Sequence, residues 1–279
     1  MVVRAGAATD RGVRERNEDA YVLASPVFAV ADGMGGHTGG AEASALVVEE
    51  LAGLGEGEWL RADQVLSAVE RAAGRVGGLV GPGATAAPGS TLSGVALAEQ
   101  DGMPCWLVFN VGDSRTYRLQ HGRIEQVTVD HTRVQELVEA GSITADEART
   151  HAQRNVITRA IGAGRAGPVA VDWSLLVAGP ADRLLICSDG LTGELSEQLI
   201  AASLLDVGDP QLAAETLVRD AVAAGGRDNV TAVVVDVVEL AGAALPEEPD
   251  GTSPDLDRAL LEGGDTLPDA LVPGEDEWR

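Results

Sequence analysis

Strand-like runs gather in groups along this chain instead of alternating one by one with helical patterns. The runs are short, rich in Val, Leu, Ile and Ala, and bounded by Gly, Asp, Pro or Ser, which is typical of β-strands. Grouped strands favour antiparallel sheets covered by helices, whereas regular alternation would indicate a doubly wound parallel sheet. The predicted fold class is therefore α+β, with two packed antiparallel β-sheets flanked by helices in a four-layer αββα sandwich.

The residue pattern also predicts the individual elements. A loop rich in Gly, Ala and Pro is expected at 81–89, and a polar, Arg-rich surface flap at about 141–168. Strands are predicted at 2–8, 20–25, 27–31, 91–98, 106–111, 115–119, 123–126, 169–176, 183–187 and 229–239. Helices are predicted at 41–54, 62–79, 133–140, 196–205 and 211–224.

The 279 residues could form one large domain or two small ones, and we favour one domain over residues 1–240. From residue 241 the composition shifts to Pro, Gly, Asp and Glu. Residues 241–279 hold 11 acidic and 2 basic residues, a net charge of −9, so we expect a disordered acidic tail. Its role stays open between an autoinhibitory strand, a partner-binding arm and a solvated end.

The charge balance excludes several classes of partner. The chain has 20 basic residues, all Arg, against 44 acidic ones, and its net charge of −24 repels nucleic acid and anionic membranes. No apolar run approaches the roughly 20 residues of a membrane span. Cys105 and Cys187 lie in apolar runs and are expected in the core, without a disulfide. These features predict a cytoplasmic protein, and we expect a monomer.

Four acidic stations stand far apart in the sequence, and three of them border an apolar run. Carboxylates that folding brings together at strand ends repel one another unless cations bind between them. Each station alone would most often be a turn, but their joint occurrence predicts a metal site. The stations are Asn17-Glu18-Asp19, Asp32-Gly33, Ser188-Asp189-Gly190 and Arg227-Asp228-Asn229.

The residue types of these stations indicate hard divalent ions. Mg²⁺ and Mn²⁺ prefer carboxylates, backbone carbonyls and water, and the Asp-Gly steps supply the first two. Zinc is a poor candidate because the sequence has no His/Cys cluster. Two such ions about 4 Å apart can bind a phosphoryl group and activate a water molecule.

Five segments, in the same order and with similar spacing, resemble the metal-dependent serine/threonine protein phosphatases of type 2C. The resemblance covers roughly residues 4–239, and the stretch from Asp130 to Ala160 is similar to the flap region of the family's bacterial branch. The segments are Arg14 to Ala20, Ala31 to Gly36, Gly112 to Arg115, Cys187 to Leu191 and Arg227 to Thr231.

The resemblance implies a role for each matching residue. Asp32 would bridge two Mg²⁺ or Mn²⁺ ions, with the Gly33 carbonyl on one ion and Asp189 and Asp228 on the other. Asp113 would bind a third, weaker ion together with Asp189. Glu18 and Asp19 would hold metal-bound waters, and Arg14 would bind the substrate phosphate. The implied reaction is hydrolysis of phosphoserine and phosphothreonine in proteins, opposing serine/threonine kinases, by attack of a hydroxide that bridges the two ions.

Two positions depart from the family pattern. Some members carry a His, thought to act as the general acid, where this chain has Met34, so the acid is open between His37 and a metal-bound water. Some relatives also place an acidic ligand of the third ion where this chain has Gly193, next to Glu194.

The same residues match other enzyme classes poorly. Gly33-Met34-Gly35 imitates part of a dinucleotide fingerprint, but Asp32 would repel a pyrophosphate. Ser114 lacks a nucleophile elbow, and neither Cys is followed by an Arg six positions later, which argues against a cysteine-dependent phosphatase. Two alternatives stay open: a catalytically silent phosphoprotein-binding module on the same fold, and a phosphatase that acts on other phosphoesters.

Overall fold

The computed structural model describes residues 1–35, 39–55, 57–80, 87–164 and 167–240. Its strands are Val2–Asp10 (β1), Asp19–Ala24 (β2), Val27–Met34 (β3), Gly89–Ser90 (β4), Leu92–Gln100 (β5), Met103–Val111 (β6), Arg115–Gln120 (β7), Arg123–Gln126 (β8), Ile161–Gly162 (β9), Asp172–Val177 (β10), Arg183–Cys187 (β11) and Val230–Glu239 (β12). Its helices are Gly39–Ala52 (α1), Ala62–Gly77 (α2), Arg133–Glu139 (α3), Ala145–Thr150 (α4), Asp189–Thr192 (α5), Glu197–Asp206 (α6) and Pro210–Ala224 (α7).

The strands form two antiparallel sheets. The first has five strands in the order β1-β12-β11-β7-β8. The second has seven strands in the order β10-β6-β5-β3-β4-β9, with β2 also paired to β3. The prediction of two antiparallel sheets is confirmed.

Three apolar clusters separate the layers. One lies between the seven-stranded sheet and helices α1 and α2, and includes Val47, Val69 and Leu107. A second lies between the five-stranded sheet and helices α6 and α7, and includes Leu217. The third lies between the two sheets and includes Trp106. This order of helix, sheet, sheet and helix confirms the predicted αββα sandwich.

Several predicted boundaries were wrong. Residues 169–171 precede β10 instead of belonging to it, because its pairing with β6 begins at Asp172 and Asn110. The segment predicted only as a surface flap contains α4, which begins with a Thr144/Glu147 capping box, and β9. Gly89, predicted as loop, begins β4, while residues 81–86 of that loop lie outside the described residues.

Both cysteines are free and buried, as predicted. Among the described residues, no helix is long and apolar enough to cross a membrane. Residues 241–279 lie outside the described part of the chain, so the tail and the domain boundary at residue 240 stay predictions.

The space between the sheets becomes polar at one end. Alternate residues of each strand face this space, and over most of its length they are apolar, as at Val30 of β3 and Val233 of β12. Continuing the alternation by two residues places Asp32 and Thr231 on the same inward face. The same end holds a buried hydrogen bond of 2.7 Å between Thr91 and Ser114. A polar chamber therefore opens at this end of the apolar sandwich.

A buried ion pair lies farther along the five-stranded sheet. Arg183 donates to both carboxylate oxygens of Asp236, at 2.6 and 2.8 Å. Its remaining hydrogens reach the carbonyls of Leu204, Val207 and Gly208, beyond which the chain enters α7. Arg183 thus ties the sheet to the segment between α6 and α7.

We expect Arg183→Ala to lower the free energy of unfolding by about 3–5 kcal/mol, because it leaves Asp236 charged, buried and without this partner. Urea unfolding of the metal-free protein measures the loss. Arg123→Ala, which removes an exposed arginine at the start of β8, is the matched control and should change stability by less than about 0.5 kcal/mol. Equal stability of the two variants would contradict the role given to Arg183.

Candidate metal centre

Two aspartates face each other at the polar end of the sandwich. Asp19 of β2 and Asp32 of β3 are direct cross-strand partners on the face that turns toward the other sheet. Asp189 follows β11 as the first residue of α5, and Asp228 lies two residues before β12. The topology therefore brings together carboxylates that are up to 209 positions apart, from Asp19 to Asp228.

The structure corrects the local setting of Asp189. The sequence pattern placed this residue at a strand end, whereas it begins the short helix α5. Gly190 makes this turn possible, since a Cβ there would collide with the backbone carbonyl of Asn229. The close approach fixes Asp189 beside the loop that carries Asp228.

Hydroxyl groups hold one side of the Asp19 carboxylate. Asp19 Oδ2 accepts hydrogen bonds from Ser188 at 2.8 Å and from Thr231 at 2.7 Å. Thr231 also shares a hydrogen bond of 2.7 Å with Thr9 of β1. The other oxygen, Asp19 Oδ1, is buried and has no hydrogen-bond partner among the described residues. Hydroxyl groups thus fix one oxygen, while the other has no partner among the described residues.

Glycines shape the wall next to Asp32. The Gly33 amide donates to the Glu18 carbonyl at 3.1 Å, and a Cβ on Gly33 would collide with the carbonyls of Gly40 and Glu18. A Cβ on Gly40 would in turn collide with the Glu18 carboxylate. Ser44 of α1 donates to the Glu18 carbonyl at 2.5 Å. The start of α1 therefore packs closely against Gly33 and Glu18, two residues that the resemblance assigns to the site.

The grouped carboxyl groups have raised pKa values. Burial raises the pKa of Asp19 to about 7, against the hydrogen bonds from Thr231 and Ser188 that lower it. Burial also raises the pKa of Asp32 well above its ordinary value, and the charges of Asp19 and Asp189 add to this. For Asp189, burial and the charge of Asp228 raise the pKa. Without cations, the chamber thus favours protonated over charged carboxyl groups.

Asp113 lies in the turn after β6 and is also buried. Burial raises its pKa to about 8, with further contributions from the charges of Asp189 and Asp130. Its Oδ1 atom has no hydrogen-bond partner among the described residues. His131 holds this turn, because its Nδ1 accepts from the Gly112 amide at 3.0 Å and its own amide donates to the Gly112 carbonyl at 2.8 Å. His131 therefore has a structural role in this turn.

Arg14 lies at the outer side of the same centre. Its Nη2 atom is 2.6 Å from Asp228 Oδ2, and its Nε donates to the Arg227 carbonyl at 3.2 Å. The arginine side chain remains 56% exposed, so it faces both solvent and the carboxylates. This position suits a group that meets an incoming phosphate.

The sequence left open the roles of Glu194, as a ligand of a third ion, and of His37, as a general acid. Glu194 binds Arg227 at 2.8 and 3.0 Å, and this pairing engages both of its carboxylate oxygens. His37 lies outside the described residues, whereas Met34 ends β3.

Among the described residues, no group of three or more His, Cys, Asp and Glu side chains is arranged to hold an ion by side chains alone. The remaining ligands of an ion here would be the Gly33 carbonyl and water.

The sequence did not predict the residues that support the candidate carboxylates. Thr9, Thr231 and Ser188 order the Asp19 carboxylate, and Asn229 orders the neighbouring loop. A signal was present in the sequence: polar residues stand at inward positions of otherwise apolar strands, as at Thr231 in Val230–Glu239.

The donor set fits divalent cations. Three buried side-chain oxygens of the described residues lack a hydrogen-bond partner, and two of them are the carboxylate oxygens of Asp19 and Asp113. Unpaired buried carboxylates are costly unless a cation or a proton compensates them. Oxygen donors without a His or Cys among them suit Mg²⁺ or Mn²⁺.

Comparison with protein families agrees with this donor set. The model described as "Protein phosphatase 2C" matches residues 11–224. The chain belongs to the protein phosphatase 2C family. The matched range contains the acidic stations up to Asp189 and ends four residues before Asp228.

Members of the 2C family from bacteria share most of this chain. Serine/threonine protein phosphatase PstP of Mycobacterium tuberculosis is 37% identical over 245 residues, which cover 86% of this chain and 46% of that protein. The chain thus spans about half the length of this relative.

Solved structures of 2C-type enzymes have the same fold. The Ser-Thr phosphatase MsPP from Mycobacterium smegmatis, in complex with cacodylate, is 44% identical with a TM-score of 0.74, covering 84% of this chain and 98% of that one. The catalytic domain of PstP with two manganese ions is 35% identical with a TM-score of 0.71, covering 85% and 99%.

Proposed function

We propose that this protein is a phosphoprotein phosphatase that depends on Mg²⁺ or Mn²⁺ and hydrolyses phosphoserine and phosphothreonine. The observation that carries the proposal is the set of buried carboxylates with raised pKa values and unpaired oxygens, Asp19 and Asp113. The names of the relatives, serine/threonine phosphatases, support the same activity. Phosphorylated proteins, among them serine/threonine kinases and their substrates, are the proposed partners.

The proposed roles follow from the positions of the side chains. Asp32, Asp189, Asp228 and the Gly33 carbonyl would hold two ions, and Asp113 with Asp189 a third. Bound there, the ions would supply an activated water as the nucleophile and would neutralise charge on the phosphoryl oxygens. Glu18 and Asp19 would order water around the ions.

Arg14 would orient the phosphate. Its guanidinium carries donors suited to a phosphate, and its partner Asp228 would turn toward an ion when one binds. Arg14 would then be released toward the substrate. The cytoplasmic location and the monomeric state stay predictions.

Hydrolysis of a phosphothreonine peptide tests the proposal. We expect phosphate release with Mn²⁺ or Mg²⁺ and none with EDTA, because the acidic chamber alone repels the substrate. A small aryl phosphate, assayed in parallel, reports on the chemistry without peptide recognition.

The results separate the alternatives. Hydrolysis of the aryl phosphate but not of any phosphopeptide would favour a phosphatase for other phosphoesters. Binding of phosphopeptides with no release under any divalent ion would favour the silent binding module and disprove the proposed activity.

A further inference from the structure

A short loop at 10–16 lies against the metal centre and is held there through its backbone. Asn229, which is buried and directly follows Asp228, donates from Nδ2 to the carbonyls of Arg11 at 3.0 Å and Arg16 at 2.8 Å. The Val13 amide donates to the Gly226 carbonyl at 2.8 Å. The two arginines therefore project from fixed positions on either side of one amide group.

Gly12 shows how closely this loop approaches the centre. It has a φ of +58°, and a Cβ there would collide with the carbonyl oxygens of Gly226 and Asp228. The Gly12 amide donates a hydrogen bond of 2.8 Å to the Asp10 carboxylate. The loop thus packs closely against the backbone of Asp228, the residue that precedes Asn229.

The charges of this loop differ from those of the rest of the surface. Among the described residues, four arginines form no ion pair with a carboxylate: Arg11, Arg16, Arg123 and Arg154. Two of the four belong to this one loop, on either side of Arg14. The acidic Glu15 lies between Arg14 and Arg16 and is exposed.

A net charge of −24 makes local cations important for an anionic substrate. An arginine that already forms an ion pair binds a second carboxylate only weakly. The arginines without an ion pair are therefore the ones available to an anionic substrate. Arg11 and Arg16 are such cations, beside the arginine that meets the phosphate.

We propose that Arg11 and Arg16 form a cationic rim that selects phosphoproteins with negative charge next to the phosphorylated residue. This inference rests on the proposed function. The flanking charge can come from Asp or Glu or from a second phosphate, since each presents oxygens that an arginine binds.

Phosphothreonine peptides with Glu, Gln or Lys flanks, and one with a second phosphothreonine, test the rim. With Mn²⁺, we expect kcat/KM to be about five-fold higher for Glu flanks than for Gln flanks at low salt, mainly through KM. High salt should remove the preference, because exposed charges are screened. A larger gain with the second phosphate than with Glu would identify phosphate as the preferred source of charge.

Matched variants assign the preference to single residues. Arg11→Gln and Arg16→Gln should each lower the ratio of kcat/KM for Glu-flanked over Gln-flanked peptide about two- to three-fold. Glu15→Gln removes a negative charge from the same loop and should raise this ratio. Arg123→Gln changes the charge of the chain as the rim variants do, but it lies on β8, and it should leave the ratio unchanged.

Binding of the same peptides with a non-hydrolysable phosphonate separates the two proposals. Binding that prefers Glu flanks, without hydrolysis of any peptide, would refute the proposed activity and support the rim. Hydrolysis at equal kcat/KM for Glu, Gln and Lys flanks would overturn the rim alone. An equal effect of Arg123→Gln and Arg16→Gln would overturn it as well, because the preference would then come from the overall charge.

Discussion

Asp32→Asn should reduce kcat/KM for a phosphothreonine peptide at least about 1,000-fold and at the same time stabilise the metal-free protein. The activity falls because Asp32 would hold both ions. The stability rises because burial and neighbouring carboxylates raise the pKa of Asp32, so that it must bind a proton on folding, whereas a neutral amide of the same shape needs none. Phosphate release with Mn²⁺ and thermal unfolding in EDTA measure the two effects.

Asp182→Asn is the matched control for this variant. Asp182 is a fully buried carboxylate that binds Arg118 at 2.8 Å and accepts from Trp106 at 3.1 Å. Its replacement leaves Arg118 without a charged partner and should destabilise the protein by about 3–5 kcal/mol. We therefore expect Asp32→Asn to raise stability and Asp182→Asn to lower it. Opposite shifts would distinguish a carboxylate without a cationic partner from one that is paired with Arg118.

Activity above about one tenth of wild type in folded Asp32→Asn would rule out Asp32 as a bridging ligand. Lower stability of this variant in EDTA would show that the charged form of Asp32 is well compensated without metal. Either result would require a different arrangement of the centre.

The layered fold could be predicted because its causes are local. Strands such as Arg183–Cys187 and Arg123–Gln126 had the predicted bounds, since apolar alternation and flanking turn residues mark them. The two-residue strands β4 and β9 carry no such pattern, because their pairing depends on contact between Gly89 and Gly162, far apart in sequence. Helix α4 was missed although the Thr144/Glu147 capping box was visible, because six residues without a buried side chain give no helical apolar pattern.

The residues proposed as metal ligands were identified mainly through resemblance, whereas the residues that hold them in place could not be predicted. Carboxylates at Asp19, Asp32, Asp189 and Asp228 could be recognised as a group, but only the topology shows that Asp19 and Asp32 are cross-strand partners. The hydrogen bonds of Ser188 and Thr231 to Asp19 depend on three strands from two sheets. The inward position of Thr231 in an apolar strand can be recognised in the sequence, but the carboxylate that it binds cannot.

The anchoring by Asn229 is a further case. Asn beside Asp indicates a turn when read in sequence. In the structure its amide is a buried link between the loop at 10–16 and the metal centre, since it donates to two carbonyls and accepts from the Glu18 amide at 2.8 Å. Side-chain contacts across more than 200 residues can be seen only once the chain is folded.

The stability of the metal-free protein should fall as the pH rises from about 5 to about 9, with a loss of at least about 5 °C in Tm. Burial raises the pKa of Asp19 to about 7 and that of Asp113 to about 8, whereas an unfolded Asp titrates near 3.9. The folded state therefore binds more protons in this range. The stabilisation is complete below about pH 4 and is lost as the pH rises through the two folded pKa values.

Saturating Mn²⁺ should remove this decline, because the ions replace the protons as the compensating charge and bind the ionised carboxylates more tightly as the pH rises. Thermal unfolding across this pH range, in EDTA and in Mn²⁺, measures both slopes. The double variant Asp19→Asn with Asp113→Asn should show a flatter slope in EDTA and a smaller Mn²⁺ effect. Stability that rises with pH in EDTA would contradict the raised pKa values, and an unchanged slope in Mn²⁺ would place the ions away from these carboxylates.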